Sequence, residues 1–564
     1  MHIRPRDPEF RLRPAASINW MIPPVRYPGA VITLCFLVAA HACYGADEPS
    51  VQQGQEKPAA QQNNAKPQEH KFNIWELQVE GNSLLETEKI ERAVYPFVGP
   101  DKTIHDVESA QKSLEALYRD AGYPTVVVDL PEQEVSDGIV RLKVVQGTVS
   151  RVRVTGSRYF SPGRIRNEMP AVAQGEVPYL PAMQEQIKQL NQASQDRTVT
   201  PIFRPGRTPG TVEVELRVKD ELPLHADVEL NNRYSKDTTK LRTSATLRYA
   251  NLWQREHSAS LTYQTAPQKP SEVRALAGTY VIPLESGDAL AAYAVDSKSN
   301  VATAGALSVL GNSRIYGARY VKSLPEQKGY YHSATFGMDY KNVDQNVSPD
   351  GGGGEVDTPV DYTQFLAQYR ATLMEQRSKL SFGFSANFAP RGMGNSESEF
   401  ENARYKAKPN YLYAGAFGDY TRDFDIGMQL RFAIDSQLSD SPLVDNEEFK
   451  AGGADSVRGY YESQVLGDDG ITINAELYSP SYASLLPYVS DLRFIAFYDY
   501  SRVRVLQPLP GQESRFTLDS TGVGLRLKGD QGLAASLDWA WPLHDNDGVD
   551  KGDSRALFSV NYGF

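Results

Sequence analysis

Cysteine is nearly absent from this chain of 564 residues, which contains only Cys35 and Cys43. Both lie in an N-terminal stretch with the features of an export signal, so the exported chain is expected to contain no thiol. A chain without cysteine cannot be trapped by wrong disulfides, and this composition therefore suits an oxidising compartment.

Long apolar runs and an excess of positive charge are also missing. The apolar run at residues 29–40 is too short for a membrane-spanning helix, which needs roughly 20 residues. The mean hydropathy of −0.46 also excludes a helical membrane protein. The net charge of −11 at pH 7 argues against a nucleic-acid partner.

Enzyme motifs are missing as well. The sequence has no phosphate-binding G-x-x-x-x-G-K-[ST], no H-E-x-x-H pair and no G-x-S-x-G elbow. The eight histidines are scattered along the chain, and His2 and His41 fall in the N-terminal signal. We therefore expect no catalytic residue, no cofactor and no metal site, and hence a protein that is not an enzyme.

Tyrosine and glycine, by contrast, are abundant, with 31 and 43 residues. This composition is typical of a transmembrane β-barrel, whose strands alternate lipid-facing and lumen-facing side chains. Arginines precede the apolar run and small residues follow it, which indicates a signal peptide at residues 1–46. Residues 47–71 are rich in Gln, Asn and Pro, and we interpret them as a linker.

A repeated pattern follows the linker. A short alternating strand, a Gly turn and a helical stretch occur around Gly81 and again around Gly156. In each copy a second helix and two closing strands complete the pattern. The sequence therefore predicts two α+β modules, at residues 72–147 and 148–221, and two unrelated α+β domains are the alternative.

Residues 222–564 carry strand signals to the end of the chain. Sixteen segments alternate with period two, and from the fifth strand on, long connections alternate with short ones. The long connections are predicted at residues 297–312, 342–360, 389–410, 438–470, 500–517 and 541–554. Outer-membrane barrels have long external loops and short periplasmic turns. The predicted fold is mainly β: a sixteen-stranded antiparallel barrel in the lipid bilayer of the outer membrane.

The last predicted strand places Ala556, Phe558, Val560, Tyr562 and Phe564 on one face. An aromatic residue at the end of an alternating strand suits the lipid interface. This ending also resembles the signal by which bacterial assembly machinery recognises barrels. We therefore expect Phe564 to be an assembly signal and the barrel assembly machinery to be a partner.

Two short motifs connect this arrangement to a known family. SVRGYYE (456–462) lies in the longest odd-numbered connection and is followed by GDDG and NAELYSP. FYDYS (497–501) supplies part of a family motif F-x-D-x-G, with Ser501 in place of the glycine, which puts the turn after Asp499 in doubt. Together with the signal, modules and barrel, these motifs resemble the outer-membrane transporters of two-partner secretion (TpsB). These transporters belong to the BamA-like superfamily, in which such modules are called POTRA domains.

The resemblance implies that the connection at 438–470 is a latch on the pore. The expected latch residues are Val457, Arg458, Gly459 and Tyr460, and the expected partners on the barrel wall are Phe497 and Asp499. Arginine suits this role because its planar fork engages a carboxylate with two bonds and keeps its charge. A solvated arginine on an exposed loop is the alternative. The resemblance also makes a plug helix in the pore an alternative for residues 47–71.

The resemblance further implies a function in protein export. The modules, in the periplasm, would capture a large secreted partner protein (an adhesin, cytolysin or toxin), which the barrel passes outward unfolded. A short strand beside a helix would offer free backbone groups to which an extended client adds as a strand. One alternative is a general barrel-insertion factor, which usually carries more than two modules. Another is a passive porin or surface receptor, which would leave the modules without a role.

Overall fold

The computed structural model describes residues 70–135, 137–304, 307–347, 356–394 and 396–564. The predicted signal peptide and all but the end of the predicted linker lie outside the described residues. Two small modules, each with a three-stranded sheet and helices, precede a closed barrel of sixteen strands. This architecture confirms the predicted mainly β fold class.

The first module has a three-stranded sheet covered by two helices. Its elements are β1 (Phe72–Ile74), β2 (Glu76–Glu80), α1 (Thr87–Val94), β3 (Gly99–Lys102), α2 (Ile104–Asp120), β4 (Val126–Asp129) and β5 (Ile139–Gln146). The central strand β5 runs parallel to β2 and antiparallel to β4, while β1 pairs with β3. Helix α2 buries Val107, Ala110, Leu114 and Tyr118 in the core, at the spacing of a single helical face.

The second module repeats the order of β2, α1, α2, β4 and β5, without a counterpart of the β1–β3 pair. Its elements are β6 (Thr148–Thr155), α3 (Pro162–Asn167), α4 (Leu180–Ala193), β7 (Arg197–Pro205) and β8 (Thr211–Asp220). Its central strand β8 runs parallel to β6 and antiparallel to β7. Gly81 and Gly156 occupy equivalent places, each with a φ of +84°. A Cβ would lie 2.5 Å from the Val144 backbone oxygen in the first module and 2.3 Å from that of Val218 in the second. A left-handed backbone and a close approach coincide, so both positions require glycine.

The barrel is formed by the rest of the chain. Its strands are β9 (Leu224–Asn231), β10 (Arg242–Leu252), β11 (His257–Thr265), β12 (Arg274–Pro283), β13 (Ala289–Ala304), β14 (Leu307–Ser323), β15 (Tyr330–Val347), β16 (Val356–Met374), β17 (Ser378–Ala389), β18 (Tyr411–Asp423), β19 (Gln429–Ser439), β22 (Asp469–Tyr478), β23 (Val489–Arg504), β24 (Arg515–Gly529), β25 (Leu533–Pro542) and β26 (Arg555–Gly563). The connections contain α5 (Glu397–Ala403), β20 (Phe449–Ala451) and β21 (Val465–Gly467). Strand β26 pairs antiparallel with β9 and closes the barrel. No helix in the described part of the chain is long and apolar enough to cross a bilayer.

Side chains along the barrel strands alternate between the lumen and the outer wall. On β23, Phe494 and Tyr498 are exposed on the outer face, whereas Phe497 and Asp499 are buried on the inner face. Successive side chains of a strand point to opposite faces, so one segment supplies an apolar lipid-facing wall and a polar lumen. The inner faces of β22 and β23 form one side of the site described below.

The external connections are shorter than predicted in three places. Antiparallel pairing continues through most of the loops expected at 297–312 and 342–360 and into both ends of the loop expected at 500–517. The longer strands satisfy their own backbone hydrogen bonds, so the hairpins extend beyond the predicted ends. Long connections remain between β17 and β18 and between β19 and β22.

The turn between β10 and β11 holds the second module against the barrel. Arg197 of β7 and Glu256 of the turn form a buried salt bridge of 2.9 Å. Asn251 donates a hydrogen bond from Nδ2 to the Tyr159 backbone oxygen at 3.0 Å. These contacts place the module at the short-turn end of the barrel, away from the long loops.

Candidate functional site

The connection between β19 and β22 folds into the barrel mouth. We divide it into a first segment (residues 440–448) and a tip hairpin (residues 449–467), whose stem pairs β20 with β21. In the tip hairpin, Val457 and Tyr460 are fully buried and Arg458 is 3% exposed. The structure thus places the predicted latch residues against the inner wall.

Arg458 contacts this wall through all three side-chain nitrogens. Its Nε donates to Asp499 Oδ2 and its Nη2 donates to Asp499 Oδ1, both at 2.7 Å. Its Nη1 lies 3.0 Å from Glu476 Oε1, and the guanidinium carbon lies 3.5 Å from the centre of the Phe497 ring. The buried charge is therefore paired, hydrogen-bonded and stacked, and these contacts offset the cost of removing it from water.

Strand β22 holds Asp499 from the other side. Asn474 Nδ2 donates to Asp499 Oδ1 at 2.7 Å and to the Ser456 backbone oxygen at 2.5 Å. Glu476 lies two residues after Asn474 on the same face of β22, and it also pairs with Arg431 at 3.2 Å. The carboxylates around Arg458 thus have partners of their own, and the site is a connected polar network.

Gly459 and Tyr460 complete the contact with the wall. Gly459 has a φ of +98°, a conformation that side chains rarely adopt, and a Cβ would lie 3.1 Å from Pro542 Cδ. The Tyr460 hydroxyl donates to the His544 backbone oxygen at 2.8 Å. The Tyr460 ring packs in an apolar cluster that includes Val457. Each predicted latch residue therefore has its own contact in this region.

The turn that the family motif places after Asp499 is absent. Strand β23 continues to Arg504, and the Ser501 Oγ accepts a hydrogen bond from Thr472 Oγ1 at 2.9 Å. The serine is therefore part of the polar inner face. The presence of serine where the family motif has glycine does not displace the Asp499 carboxylate.

Phe564 lies at the seam where the barrel closes. Its backbone N–H and oxygen both pair with Ala226 at 3.0 Å. Its ring is 70% exposed and its centre lies 6.4 Å from that of Tyr562. The chain thus ends in an aromatic pair on the outer wall.

Buried acidic groups close the base of the loop. The Asp468 carboxylate accepts a hydrogen bond from the Leu443 N–H at 2.6 Å, which joins the two ends of the loop. Arg404, from the connection between β17 and β18, lies 3.4 Å from Asp468 and 3.3 Å from Glu448. Burial, together with the neighbouring Asp445, raises the pKa of the Glu448 carboxyl. A protonated Glu448 adds no unpaired charge to this cluster.

One loop residue that contacts the wall was not predicted from the sequence. Glu447 lies in the segment LVDNEEFK (443–450), whose acidic residues are typical of a solvated loop. In the structure its carboxylate is buried among barrel side chains. No local signal separates it from Glu448, because the difference comes from strands that are distant in the sequence.

The grooves beside the short strands of the modules are occupied. In the first module, Gln111 donates to the Val128 oxygen at 2.6 Å and Glu115 accepts from the Val128 N–H at 3.0 Å. In the second module, Asn191 forms the equivalent two bonds with Val199. The backbone groups expected to be free beside the helices are thus bonded to side chains of α2 and α4. Strands β2 and β6, at the opposite sheet edges, have a neighbouring strand on one side.

An apolar outer wall, a lumen that contains a folded loop, and modules at the short-turn end define an outer-membrane barrel with periplasmic POTRA-type modules. The family model "POTRA domain, ShlB-type" matches residues 72–147. The model "Haemolysin secretion/activation protein ShlB/FhaC/HecB" matches residues 210–527, more than half of the chain. The chain belongs to this haemolysin secretion/activation family and is an outer-membrane transporter of the two-partner secretion type.

Individual relatives are distant but extend over most of the chain. The heme/hemopexin transporter protein HuxB of Haemophilus influenzae is 20% identical over 508 residues, 84% of each chain. Among solved structures, CdiB from Escherichia coli has a TM-score of 0.56 and 19% identity, covering 90% of this chain and 93% of CdiB. BamA from Haemophilus ducreyi lacking POTRA domains 1–3 has a TM-score of 0.55 and 14% identity, covering 87% and 100%. The family models confirm the predicted family, function and outer-membrane localisation, and the solved structures show the same fold.

Proposed function

We propose that the loop at 440–468 is a latch that closes the transporter until a partner polypeptide displaces it. The fork between Arg458 and Asp499 carries this proposal, because both bonds measure 2.7 Å and both groups are buried. An arriving chain that takes over the loop's place must separate these charges. Opening in the absence of a partner is therefore costly, and this cost keeps the pore closed at rest.

The modules deliver the partner to the barrel from the periplasm. Strands β2 and β6 are open sheet edges, and an unfolded chain adds to such an edge through main-chain hydrogen bonds that tolerate many sequences. The edges at β4 and β7 are already bonded to side chains of the helices. The partner then passes outward unfolded, and its folding outside prevents its return. We assign the driving force to this folding because the sequence contains no nucleotide-binding motif.

Phe564 has a role before transport begins. Its exposed ring on the last strand suits recognition by the barrel assembly machinery, which makes that machinery a second partner. The same ring contributes little packing in the finished barrel, because most of its surface is exposed. Assembly and stability of the barrel should therefore respond differently to its loss.

The latch is tested by Arg458→Ala and Asp499→Ala in the full-length transporter. Arg458→Ala leaves the buried Asp499 carboxylate without its cation, and Asp499→Ala removes the fork and leaves Arg458 its contact with Glu476. In both variants the loop loses the contact that defines its closed position. We expect less partner protein in the culture medium while the amount of assembled barrel is unchanged. Asp455→Asn is the matched control, because this carboxylate of the same loop is 77% exposed and pairs with Arg233 at the surface. Full secretion from both alanine variants would remove the pair from the mechanism.

The two alternative functions, a passive porin and a barrel-insertion factor, predict different results. A passive porin would conduct ions continuously in planar bilayers without any change to the loop. A barrel-insertion factor would cause other outer-membrane proteins to be lost when it is depleted. A transporter of a dedicated partner predicts neither outcome.

A further inference from the structure

The loop at 440–468 contacts the barrel at a second place, through Glu447 in its first segment. Glu447 Oε1 accepts hydrogen bonds from Lys341 Nζ at 2.5 Å and from the Tyr362 hydroxyl at 2.6 Å. Its Oε2 accepts from Gln364 Nε2 at 2.6 Å and from the Tyr413 hydroxyl at 2.9 Å. Four donors on three strands thus converge on a single loop carboxylate.

This contact is on a different part of the wall from Asp499. The donors to Glu447 belong to β15, β16 and β18, whereas the partners of Arg458 belong to β22 and β23. In the order of the sheet, these two groups of strands lie on opposite sides of β19, from which the loop departs. The loop therefore contacts two separate parts of the inner wall, one on each side of its own strand.

The Glu447 contact is built as a buried charged site. The side chain is 3% exposed, and its four donors match the number of acceptor positions that a carboxylate offers. Burial by itself raises the pKa of Glu447, but the charge of Lys341 and the hydrogen bonds from Lys341, Tyr362 and Tyr413 together outweigh burial and lower it. The ionised form is therefore the one that the site accommodates, and removing it leaves the largely buried Lys341 ammonium without the carboxylate it pairs with.

Apolar packing supports the same part of the loop. Leu443 and Val444 are buried in a cluster with Phe400 of α5 and Tyr411 of β18. The tip hairpin belongs to another cluster, which includes Tyr460 and residues of β23 and β24. The two halves of the loop thus have separate cores.

A pair of glycines lies between the Glu447 and Arg458 contacts. Gly452 and Gly453 have φ values of +101° and +105°, and they follow the first strand of the hairpin stem. Glycine tolerates many other conformations at little cost, so the chain between the two contacts can bend here while one of the contacts stays bound.

We propose that Glu447 is a second anchor of the loop, separate from the Arg458–Asp499 latch, so that clearing the pore requires release at two places. This inference rests on the proposed latch function and adds the residue that positions the first segment. It predicts an intermediate in which the loop is attached at only one of these two places. A partner polypeptide would meet the two anchors in turn instead of breaking all contacts at once.

Reporter cysteines test the proposal, because the sequence after Cys43 contains none. Val444→Cys reports on the first segment and Val457→Cys on the tip hairpin, each probed with a membrane-impermeant maleimide on intact cells. Each reporter is combined with Glu447→Gln, Glu447→Ala, Arg458→Ala or the surface control Asp455→Asn. Heat-modifiable migration of each variant confirms that the barrel has assembled.

We expect both Glu447 variants to speed labelling at position 444 by at least about tenfold, because each loses charged hydrogen bonds, with position 457 unchanged. Arg458→Ala should show the reverse pattern, and Asp455→Asn should change neither rate. Parent-like labelling at position 444 in both Glu447 variants would overturn the anchor. If every variant changed the labelling rate at both positions, the two halves of the loop would move as one unit. That result would overturn the proposal of two separate anchors. Labelling does not require secretion, so the anchor can stand even where full secretion by Arg458→Ala and Asp499→Ala removes the latch.

Discussion

Arg458→Lys is the sharpest test of how the tip hairpin is held, because it keeps the charge and removes the fork. The guanidinium bonds both Asp499 oxygens at 2.7 Å and lies 3.0 Å from Glu476. A lysine ammonium is a compact point charge that cannot reproduce this planar pattern. The barrel should still assemble, because its strands close through their own backbone pairing, to which Arg458 does not contribute.

The expected effect of Arg458→Lys on loop opening follows from the contacts that are lost. Losing at least one charged hydrogen bond and the stacking on Phe497 costs about 2–4 kcal/mol. At 1.4 kcal/mol for each factor of ten, the balance between closed and open loop shifts by about 30- to 700-fold. Single-channel recording of the purified protein in planar bilayers measures this shift as open probability.

Phe497→Leu is the matched control for the ring contact alone. It keeps both bonds to Asp499 and removes the aromatic face that lies 3.5 Å from the guanidinium carbon. The expected loss of about 1 kcal/mol corresponds to an approximately fivefold rise in open probability. If Arg458→Lys opened no more often than the parent protein, the fork would not be what holds the loop.

Two further predictions concern the module edge and the C-terminal residue. Val79→Pro should lower secretion about fivefold relative to Val79→Ala, the loss expected for one hydrogen bond. Glu76 bonds β5 through its N–H, so the alternate residue Val79 turns its N–H to the open edge of β2. If the two variants secreted equally and their modules were equally resistant to protease, the open edge of β2 would not be where the partner polypeptide binds. Phe564→Ser should lower the heat-modifiable, assembled fraction while changing the unfolding free energy of assembled barrels by under about 0.5 kcal/mol. An unchanged assembled fraction would remove Phe564 as the signal.

Elements with a strong local pattern could be predicted from the sequence. All sixteen barrel strands and both modules are present, since period-two alternation and the Gly turns are properties of neighbouring residues. Strands β13, β15 and β23 were predicted to end earlier than they do in the structure. Residues beyond the membrane are polar and lose the alternation signal, yet they continue to pair with the adjacent strand.

The residues of the candidate site also divide into those that a short motif predicted and those that no local pattern marked. Arg458 and Asp499 were found through short motifs, and the structure shows what surrounds them, including Glu476 and Asn474. Glu447 has no motif and is one acid among several in its loop. The side chains that occupy the module grooves, such as Gln111, were also missed, because a glutamine on a helix carries no sign of the strand it bonds.

By itself, then, the order of residues determined the number of strands, the repeat of the modules and the one arginine carried by the loop. Only the tertiary structure decided that the loop contacts the barrel wall in two places, and that Glu447 rather than Glu448 receives four donors. The reason is that a buried charge is stabilised by groups from β15, β16 and β18, which come together only when the barrel closes.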